Sequence, residues 1–358
     1  MSDFIDDLCK RVELAARNNT QLRPVGGGTK NFYGGPLQGE EVNMRQWAGI
    51  VEYEPTELVI SVKSGTPLAE VEAALAAQKQ ELAFEPPRLS AGGTIGGTIA
   101  SGLAGPARLS KGGVKDYVLG CTLLDGKGQL LHFGGVVMKN VAGYDVARVI
   151  PGSMGTLGIV TELSIKVMPV APAEATLQFE MDVNQAIAKS NEWLSKPLPI
   201  SATFYENDKL TVRLRGASAA VQAALKNMGG QEMENQQAHA FWASVRDQQH
   251  EFFKCEGDLW RMAVPPTTVD LAMHGKSVHE WGSGLRWFRS DAEVTVEQIR
   301  AIAKRVGGHA TLYRTDNEAA RAHAFQQPDA VMLRLQRRLK EQFDPAGVFS
   351  INRLSPIL

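Results

Sequence analysis

Three glycine-rich clusters in the first half of the sequence contain the residues whose types and spacing could do chemistry. They lie at 26–29 (GGGT), 92–102 (GGTIGGTIASG) and 152–158 (GSMGTLG). Glycine leaves backbone N–H groups uncovered, so a loop of this composition lets phosphate oxygens approach the main chain closely. Three such clusters in one chain predict a long cofactor that carries a diphosphate and is held at several points.

The sequence lacks the motifs of two common nucleotide-binding folds, so the predicted cofactor site belongs to neither of them. The dinucleotide fingerprint G-x-G-x-x-G does not occur in these clusters, and the sequence contains no G-x-x-x-x-G-K-[ST] phosphate loop. Taken alone, the cluster at 26–29 would suit a plain tight turn equally well. The five glycines of 92–102 exceed what a turn requires, so this second cluster carries most of the argument.

Length, charge and cysteine usage limit the class of protein. A chain of 358 residues predicts two domains. Lys and Arg number 38 against 39 Asp and Glu, so no basic excess points to nucleic acid as a partner. Cys9, Cys121 and Cys255 show no metal-ligand spacing and suit reduced thiols. Neither a signal sequence nor an apolar run of about 18 residues is visible, and we expect a cytoplasmic location.

The elements that position the clusters follow from hydrophobic periodicity. The spacing of Phe4, Leu8, Val12 and Ala15 predicts a helix, and Thr66-Pro67 predicts the start of another. Strands are predicted at 22–25, 49–53, 58–62, 118–124, 129–133 and 159–167. The long glycine tract that begins at Pro86 is expected to be irregular loop.

Composition changes after a proline-containing linker at 168–173, where glycine becomes sparse. Further strands are predicted at 176–182, 200–206, 209–215, 259–264, 285–289 and 309–314. Helices are predicted at 184–195, 217–228, 236–254, 294–306 and 328–342. This mixture predicts an α+β second domain with an antiparallel sheet.

Taken together, the three clusters resemble the FAD-binding domain of the vanillyl-alcohol oxidase and p-cresol methylhydroxylase (PCMH-type) flavoproteins. The ending Phe343-Asp344-Pro345-x-x-Val348-Phe349 is similar to that of the branch that oxidises lactate and glycolate. The resemblance implies a two-lobed PCMH-type FAD-binding domain at 1–170. It also implies an α+β cap domain at 171–327, and a helix and tail at 328–358 that return to the FAD domain.

The resemblance also implies which residues bind FAD. Residues Val25 to Asn31 would cradle the pyrophosphate, and parts of the other two clusters would line the rest of the cofactor. The implied residues are Val25, Gly26, Gly27, Gly28, Thr29, Lys30, Asn31, Thr94, Ile95, Gly97, Thr98, Ser101, Gly102, Gly155, Gly158, Ile159 and Val160. Many relatives attach flavin through a His or Cys in these loops. The loops here hold neither, so we expect noncovalent FAD.

The second domain departs further from the catalytic relatives, whose cap carries a histidine cluster that binds a metal. The seven histidines show no such spacing, and we expect no metal site. Catalytic residues stay unassigned, with His279, Glu280 and Arg286 as weak candidates for an acid–base pair and a carboxylate clamp.

Within its branch the chain resembles a subunit of bacterial glycolate oxidases, partly through Glu280-Trp281-Gly282-x-Gly284-x-Arg286-Trp287. The implied partners are a catalytic FAD subunit and an iron–sulfur subunit, through which the chain could meet a membrane. The implied function is oxidation of glycolate to glyoxylate, with this chain carrying electrons or supporting its partner. Two alternatives stay open: a self-sufficient 2-hydroxy-acid dehydrogenase, and a scaffold without FAD.

Overall fold

The computed structural model describes most of the chain, and Cys255 lies outside the described residues. These are residues 3–135, 146–254, 256–290, 294–350 and 352–355. In the part of the chain so described, no helix is both long and apolar enough to cross a membrane.

Helices and strands alternate along the described chain. The helices are α1 (Asp3–Asn18), α2 (Leu68–Ala77), α3 (Ile95–Ser101), α4 (Arg108–Lys111), α5 (Val183–Leu194), α6 (Ser218–Met228), α7 (Asn235–Arg246), α8 (Val296–Arg305), α9 (Glu318–Arg321) and α10 (Ala330–Phe343). The strands of the first half are β1 (Leu22–Val25), β2 (Glu40–Asn43), β3 (Ile50–Glu54), β4 (Val59–Lys63), β5 (Gln80–Glu81), β6 (Val118–Leu124), β7 (Leu130–Gly134), β8 (Ile159–Lys166) and β9 (Met168–Pro169). Those of the second half are β10 (Ala173–Glu180), β11 (Ile200–Glu206), β12 (Lys209–Gly216), β13 (Gln231–Glu232), β14 (Leu259–Ala263), β15 (Gly275–Glu280), β16 (Leu285–Ser290) and β17 (His309–Arg314).

The chain divides into two compact units, and neither is a continuous piece of sequence. Unit 1 comprises residues 1–103, 113–169 and 318–358, and unit 2 comprises 104–112 and 170–317. The predicted domains at 1–170, 171–327 and 328–358 differ from this division in two places. Residues 104–112 belong to unit 2, where α4 packs on β11 and the Ser110 hydroxyl donates to the Ser201 carbonyl at 2.9 Å. Residues 318–327 belong to unit 1, where Arg321 donates to the Asn31 carbonyl.

Unit 1 is built around an antiparallel five-stranded sheet in the order β3-β4-β8-β6-β7. Side chains of β8 alternate strictly between buried and half-buried positions, as expected for a strand with one face in a core. The helix α1 packs its apolar face, including Leu8, Val12 and Ala15, against Leu22 of β1 and Ile159 of β8. This core fixes the end of β1, from which the first glycine cluster emerges.

The C-terminal tail is part of the same core. Val348 and Phe349 are buried beside Leu22, and the Leu22 N–H donates to the Val348 carbonyl at 2.7 Å. The buried carboxylate of Asp344 accepts the N–H groups of Val348 and Phe349 at 2.8 Å and pairs with Lys340. The tail is therefore held next to β1.

Unit 2 contains an antiparallel eight-stranded sheet in the order β13-β10-β12-β11-β15-β16-β14-β17. The helices α5 and α6 bury Trp193, Val221 and Ala224 against Val212 and Leu214 of β12. The predicted α+β class with an antiparallel sheet is confirmed.

Several observed elements differ from the predictions, and three of these differences have a clear physical reason. The helix predicted at 236–254 ends at Arg246, because Gln248 has a positive φ of 55° and Phe252 and Phe253 are buried by a separate 3₁₀ turn. Strand β15 was not predicted, since Val278 is its one aliphatic side chain. The third difference, a helix inside the glycine tract, concerns the candidate site.

Candidate functional site

The first glycine cluster forms a turn directly after β1. Gly28 has a positive φ of 69°, and its carbonyl accepts the Asn31 N–H at 3.1 Å. A Cβ on Gly27 would overlap the carbonyl oxygen of Gly92, and one on Gly26 would overlap the hydroxyl of Thr94. Glycine is required at both positions because the second cluster packs directly on the backbone of the first.

The second cluster is a helix and not the expected irregular loop. Thr94 is the N-cap of α3 and its hydroxyl accepts the Gly97 N–H at 3.2 Å, while Gly102 ends the helix at a φ of 64°. Ile95 and Ile99, one turn apart, are fully buried and supply the apolar side that glycine lacks. The Thr N-cap and this four-residue spacing are the signals from which the helix could have been predicted.

The third cluster packs on the end of that helix. The Gly152 N–H donates to the Ile99 carbonyl at 3.2 Å, and the Met154 N–H donates to the Ala100 carbonyl at 2.9 Å. Met154 adopts a positive φ of 55°, an uncommon conformation for a side chain of its size. All three clusters are thus brought to one place in unit 1.

Two adjoining cavities lie where the clusters meet, and they share Pro24, Val25, Gly26, Thr94, Gly97, Ala100 and Met154. Of the residues predicted to bind FAD, those that line a cavity are Val25, Gly26, Gly27, Gly28, Thr29, Lys30, Asn31, Thr94, Gly97, Ser101, Gly155, Gly158 and Val160. Ile95, Thr98, Gly102 and Ile159 are not among the lining residues. The side chains of Ile95, Thr98 and Ile159 are fully buried behind the lining.

Lys30 supplies a positive charge to the first cavity. No carboxylate among the described residues pairs with it, and burial lowers the pKa of its ammonium group to about 8. A desolvated ammonium group without a counter-charge favours an anionic ligand, because the anion replaces the interactions lost with water. The cavity therefore suits a phosphate or diphosphate.

Two arginines from other parts of the chain support this cavity, and the sequence does not indicate them. Arg353 lines it and donates hydrogen bonds to the carbonyls of Tyr33 and Gly35, and Arg321 donates to the Asn31 carbonyl at 2.5 Å. Burial, together with the charges of Arg321 and Arg23, lowers the pKa of Arg353 to about 10. No local pattern in the sequence signals these contacts, since Arg353 and Tyr33 are 320 positions apart.

Comparisons with known proteins agree with this geometry. Residues 4–134 match the model of a family described as FAD binding domain. The chain is 41% identical to glycolate oxidase subunit GlcE of Escherichia coli (strain K12), over 98% of this chain and 97% of that protein. It is 30% identical to glycolate oxidase subunit GlcD of Bacillus subtilis (strain 168), over 58% of this chain and 45% of that protein.

The chain belongs to the family of the glycolate oxidase subunit GlcE. It is an FAD-binding member of a group of oxidoreductases that also includes a D-lactate dehydrogenase of Anaerostipes hadrus, 29% identical over 48% of this chain and 36% of that protein. A solved structure of alkyldihydroxyacetonephosphate synthase superposes with a TM-score of 0.66 at 15% identity, covering 97% of this chain and 75% of that one. This likeness shows that the fold is the predicted PCMH-type fold.

The residues of this GlcE-family chain fit FAD. Gly26, Gly27 and Gly28 of the first cluster line the first cavity, and Lys30 lines the same cavity. Two buried hydroxyls, those of Ser64 and Thr98, have no hydrogen-bond partner among the described residues, and Ser64 lines the second cavity. Buried hydroxyls are usually hydrogen-bonded, so the unpartnered Ser64 hydroxyl indicates that the cavity is built for a polar ligand.

The three weak catalytic candidates lie in unit 2, on neighbouring strands. His279 of β15 lies opposite Arg286 of β16 in the strand register. Glu280 points to the opposite face of the sheet, because successive side chains of a strand alternate. His279 and Glu280 therefore do not form a pair. The Glu280 carboxylate accepts the Trp287 indole N–H at 2.7 Å.

Arg286 forms hydrogen bonds within the protein, and His279 is buried away from water. The Arg286 guanidinium donates to the carbonyls of Ser283, Thr268 and Val269. Burial, and then the charge of Arg286, lowers the pKa of His279 to about 3. Within the described ranges, no cluster of three or more His, Cys, Asp or Glu side chains could hold a metal ion.

Proposed function

We propose that this chain is the FAD-binding subunit of a complex that oxidises glycolate to glyoxylate, and that it carries electrons for the catalytic flavin subunit or supports that subunit. The observation that carries the proposal is the similarity over nearly the whole length to a protein named glycolate oxidase subunit GlcE. The cavity formed by the three glycine clusters supports it, because a subunit that had lost FAD would have no need for this arrangement.

In this proposal FAD is held noncovalently by the residues of the two cavities. Lys30 pairs with the diphosphate, the backbone of Gly26 to Gly28 surrounds it, and Ser64 hydrogen-bonds a polar group deeper in the site. Bound FAD supplies a carrier of one or two electrons. No histidine or cysteine is among the residues that line the cavities, which supports noncovalent attachment.

The environments of His279 and Arg286 in unit 2 favour a supporting or electron-carrying role over independent catalysis. A self-sufficient 2-hydroxy-acid dehydrogenase needs a base for the hydroxyl proton and a cation for the carboxylate. His279, with a pKa of about 3, is too weak a base. Arg286 would have to release the backbone carbonyls of Thr268 and Val269 to bind a substrate.

The proposed partners are a catalytic FAD subunit and an iron–sulfur subunit. This chain has three cysteines, at positions 9, 121 and 255, whereas an iron–sulfur cluster is held by four cysteine thiolates in most proteins. Another chain must therefore supply such a cluster. We place the complex in the cytoplasm, with any contact with the membrane made through these partners.

The test is an anaerobic visible spectrum of the purified chain alone, before and after addition of glycolate and then of dithionite. The proposal expects flavin bands that glycolate leaves unchanged and dithionite bleaches. When the catalytic flavin subunit is added, glycolate should bleach them as well. Bleaching by glycolate without a partner would instead support a self-sufficient dehydrogenase. A colourless protein that does not take up FAD would support the scaffold alternative.

A further inference from the structure

The helix α10 is attached to unit 1 by its C-terminal end. Phe343 is buried, and the Lys340 ammonium group donates to the carbonyls of Thr156 and Phe349 at 2.6 and 2.9 Å and pairs with Asp344 at 2.6 Å. The rest of the helix has no fully buried side chain. One face of its first turns is thus left facing solvent.

That face is apolar. Val331, Met332 and Leu335 are 58%, 47% and 52% exposed, and positions i, i+1 and i+4 lie on the same side of a helix. Nine large hydrophobic side chains are exposed in the described chain, and three of them are here. Scattered exposed hydrophobics are ordinary, but a contiguous group indicates an interaction surface.

The border of this apolar face is basic. Arg334 and Arg338 follow Val331 and Leu335 by three positions each, so both side chains lie beside the apolar group. Both are exposed, and neither forms an ion pair with a carboxylate among the described residues. We name the surface formed by Val331, Met332, Leu335, Arg334 and Arg338 the α10 face.

We infer that the α10 face docks into an apolar groove, bordered by carboxylates, on a partner subunit of the complex; this inference rests on the proposed function. An exposed apolar helical face with anchors at i and i+4 is what a groove on another protein recognises. The two arginines call for acidic residues at the groove's border, because charge complementarity sets orientation and speeds association.

Two other occupants fit the face less well. A two-fold contact between copies of this chain would place the same patch against itself, so both sides of the contact would carry the same positive charge. A membrane surface is bound by helices whose broad apolar face carries several Trp, Phe or Leu side chains. The α10 face has three aliphatic or thioether side chains and no aromatic one.

The experiment uses the full chain co-expressed with the protein of its own organism that is similar to glycolate oxidase subunit GlcD, and measures the dissociation constant of the complex. Leu335→Glu places a charge in the α10 face, and the double change Arg334→Glu with Arg338→Glu reverses its border. The matched control is Leu14→Glu, since Leu14 is 57% exposed on α1. FAD content and the melting temperature verify that each variant is folded.

The inference expects Leu335→Glu to weaken the complex at least about tenfold and Leu14→Glu to leave it unchanged. Raising the salt concentration should weaken the wild-type complex, and the double arginine variant should lose that dependence. If every variant binds the partner as the wild type does, the docking inference is overturned while the proposed function stands. If even the wild-type chain forms no complex, both are overturned.

Two further results would contradict the inference that the α10 face binds a partner subunit. Light scattering would detect self-association of the chain that Leu335→Glu abolishes. Co-sedimentation with vesicles of phosphatidylcholine and phosphatidylglycerol would detect binding to an anionic membrane. Either effect, with partner binding unchanged in Leu335→Glu, would assign the face to that other occupant.

Discussion

The affinity of the chain for FAD should fall as the pH rises, because of Lys30. In the absence of ligand, burial lowers the pKa of its ammonium group from 10.5 to about 8. A bound diphosphate favours the charged form and raises that pKa again. Above pH 8 the Lys30 amine must therefore take up a proton when FAD binds. Each further rise of the pH weakens the binding of FAD.

The size of the effect follows from these two pKa values. At pH 7 the ammonium group is mostly charged in the free protein, whereas at pH 9 roughly one molecule in ten carries the charge. If the diphosphate restores the pKa to the ordinary value, the dissociation constant for FAD rises about tenfold between pH 7 and pH 9. A change in fold stability with pH contributes little to this ratio, because the dissociation constants at pH 7 and pH 9 are both measured on the folded protein.

The assay is a titration of the FAD-free protein with FAD, followed by flavin fluorescence at pH values from 7 to 9. Lys30→Met should bind FAD more weakly at pH 7, by a factor of roughly 10 to 100 for a lost charge-assisted hydrogen bond, and should show no pH dependence. Lys30→Arg is the matched control: it keeps the charge at pH 9 and should bind equally well across the range. Equal pH profiles for wild type and Lys30→Met would refute the assigned role of Lys30.

Three further predictions concern FAD binding and the stability of the fold. Gly27→Ala should abolish FAD binding, because its Cβ would overlap a backbone carbonyl of the second cluster, whereas Gly135→Ala, which meets nothing within 4 Å, should bind FAD normally. Asp344→Asn leaves Lys340 charged and buried without its counter-ion, so we expect a loss of about 3 kcal/mol in the free energy of unfolding, measured by chemical denaturation; a loss below about 0.5 kcal/mol would contradict this account of the ion pair. His279 has a pKa of about 3 in the folded chain and 6.5 as its ordinary value, so its contribution to stability is complete above pH 6.5 and declines as the pH falls toward 3. Between pH 7 and pH 5 this loss is about 2 kcal/mol, and it should be absent in His279→Gln.

Much of the candidate site could be predicted from the sequence because its backbone is local. A glycine cluster after a strand is a short-range signal, and β1 indeed leads into the turn at 26–28. The same holds for α1, whose apolar spacing predicted the buried positions of Leu8, Val12 and Ala15. Such features need no knowledge of the rest of the chain.

What could not be predicted depends on tertiary contacts. Arg353 reaches the first cluster because the tail pairs beside Leu22. The resemblance implies that the tail returns to the FAD domain, but it does not indicate that Arg353 contacts the first cluster. The relation between His279 and Glu280 likewise depends on their lying in a strand, which separates their side chains onto opposite faces. Without knowledge of β15, the sequence predicts that these two neighbours belong to one site.

The order in which the parts of the FAD site are synthesised determines when the cofactor can bind. The turn after β1 is synthesised early, but the same cavity is lined by Ser350 and Arg353, which are synthesised long after it. Domains generally fold as their sequence becomes available, so unit 2 is complete while unit 1 still lacks its final wall. A prematurely terminated chain would carry all three glycine clusters and still lack part of the flavin site. A complete wall around FAD therefore requires that translation has passed Arg353.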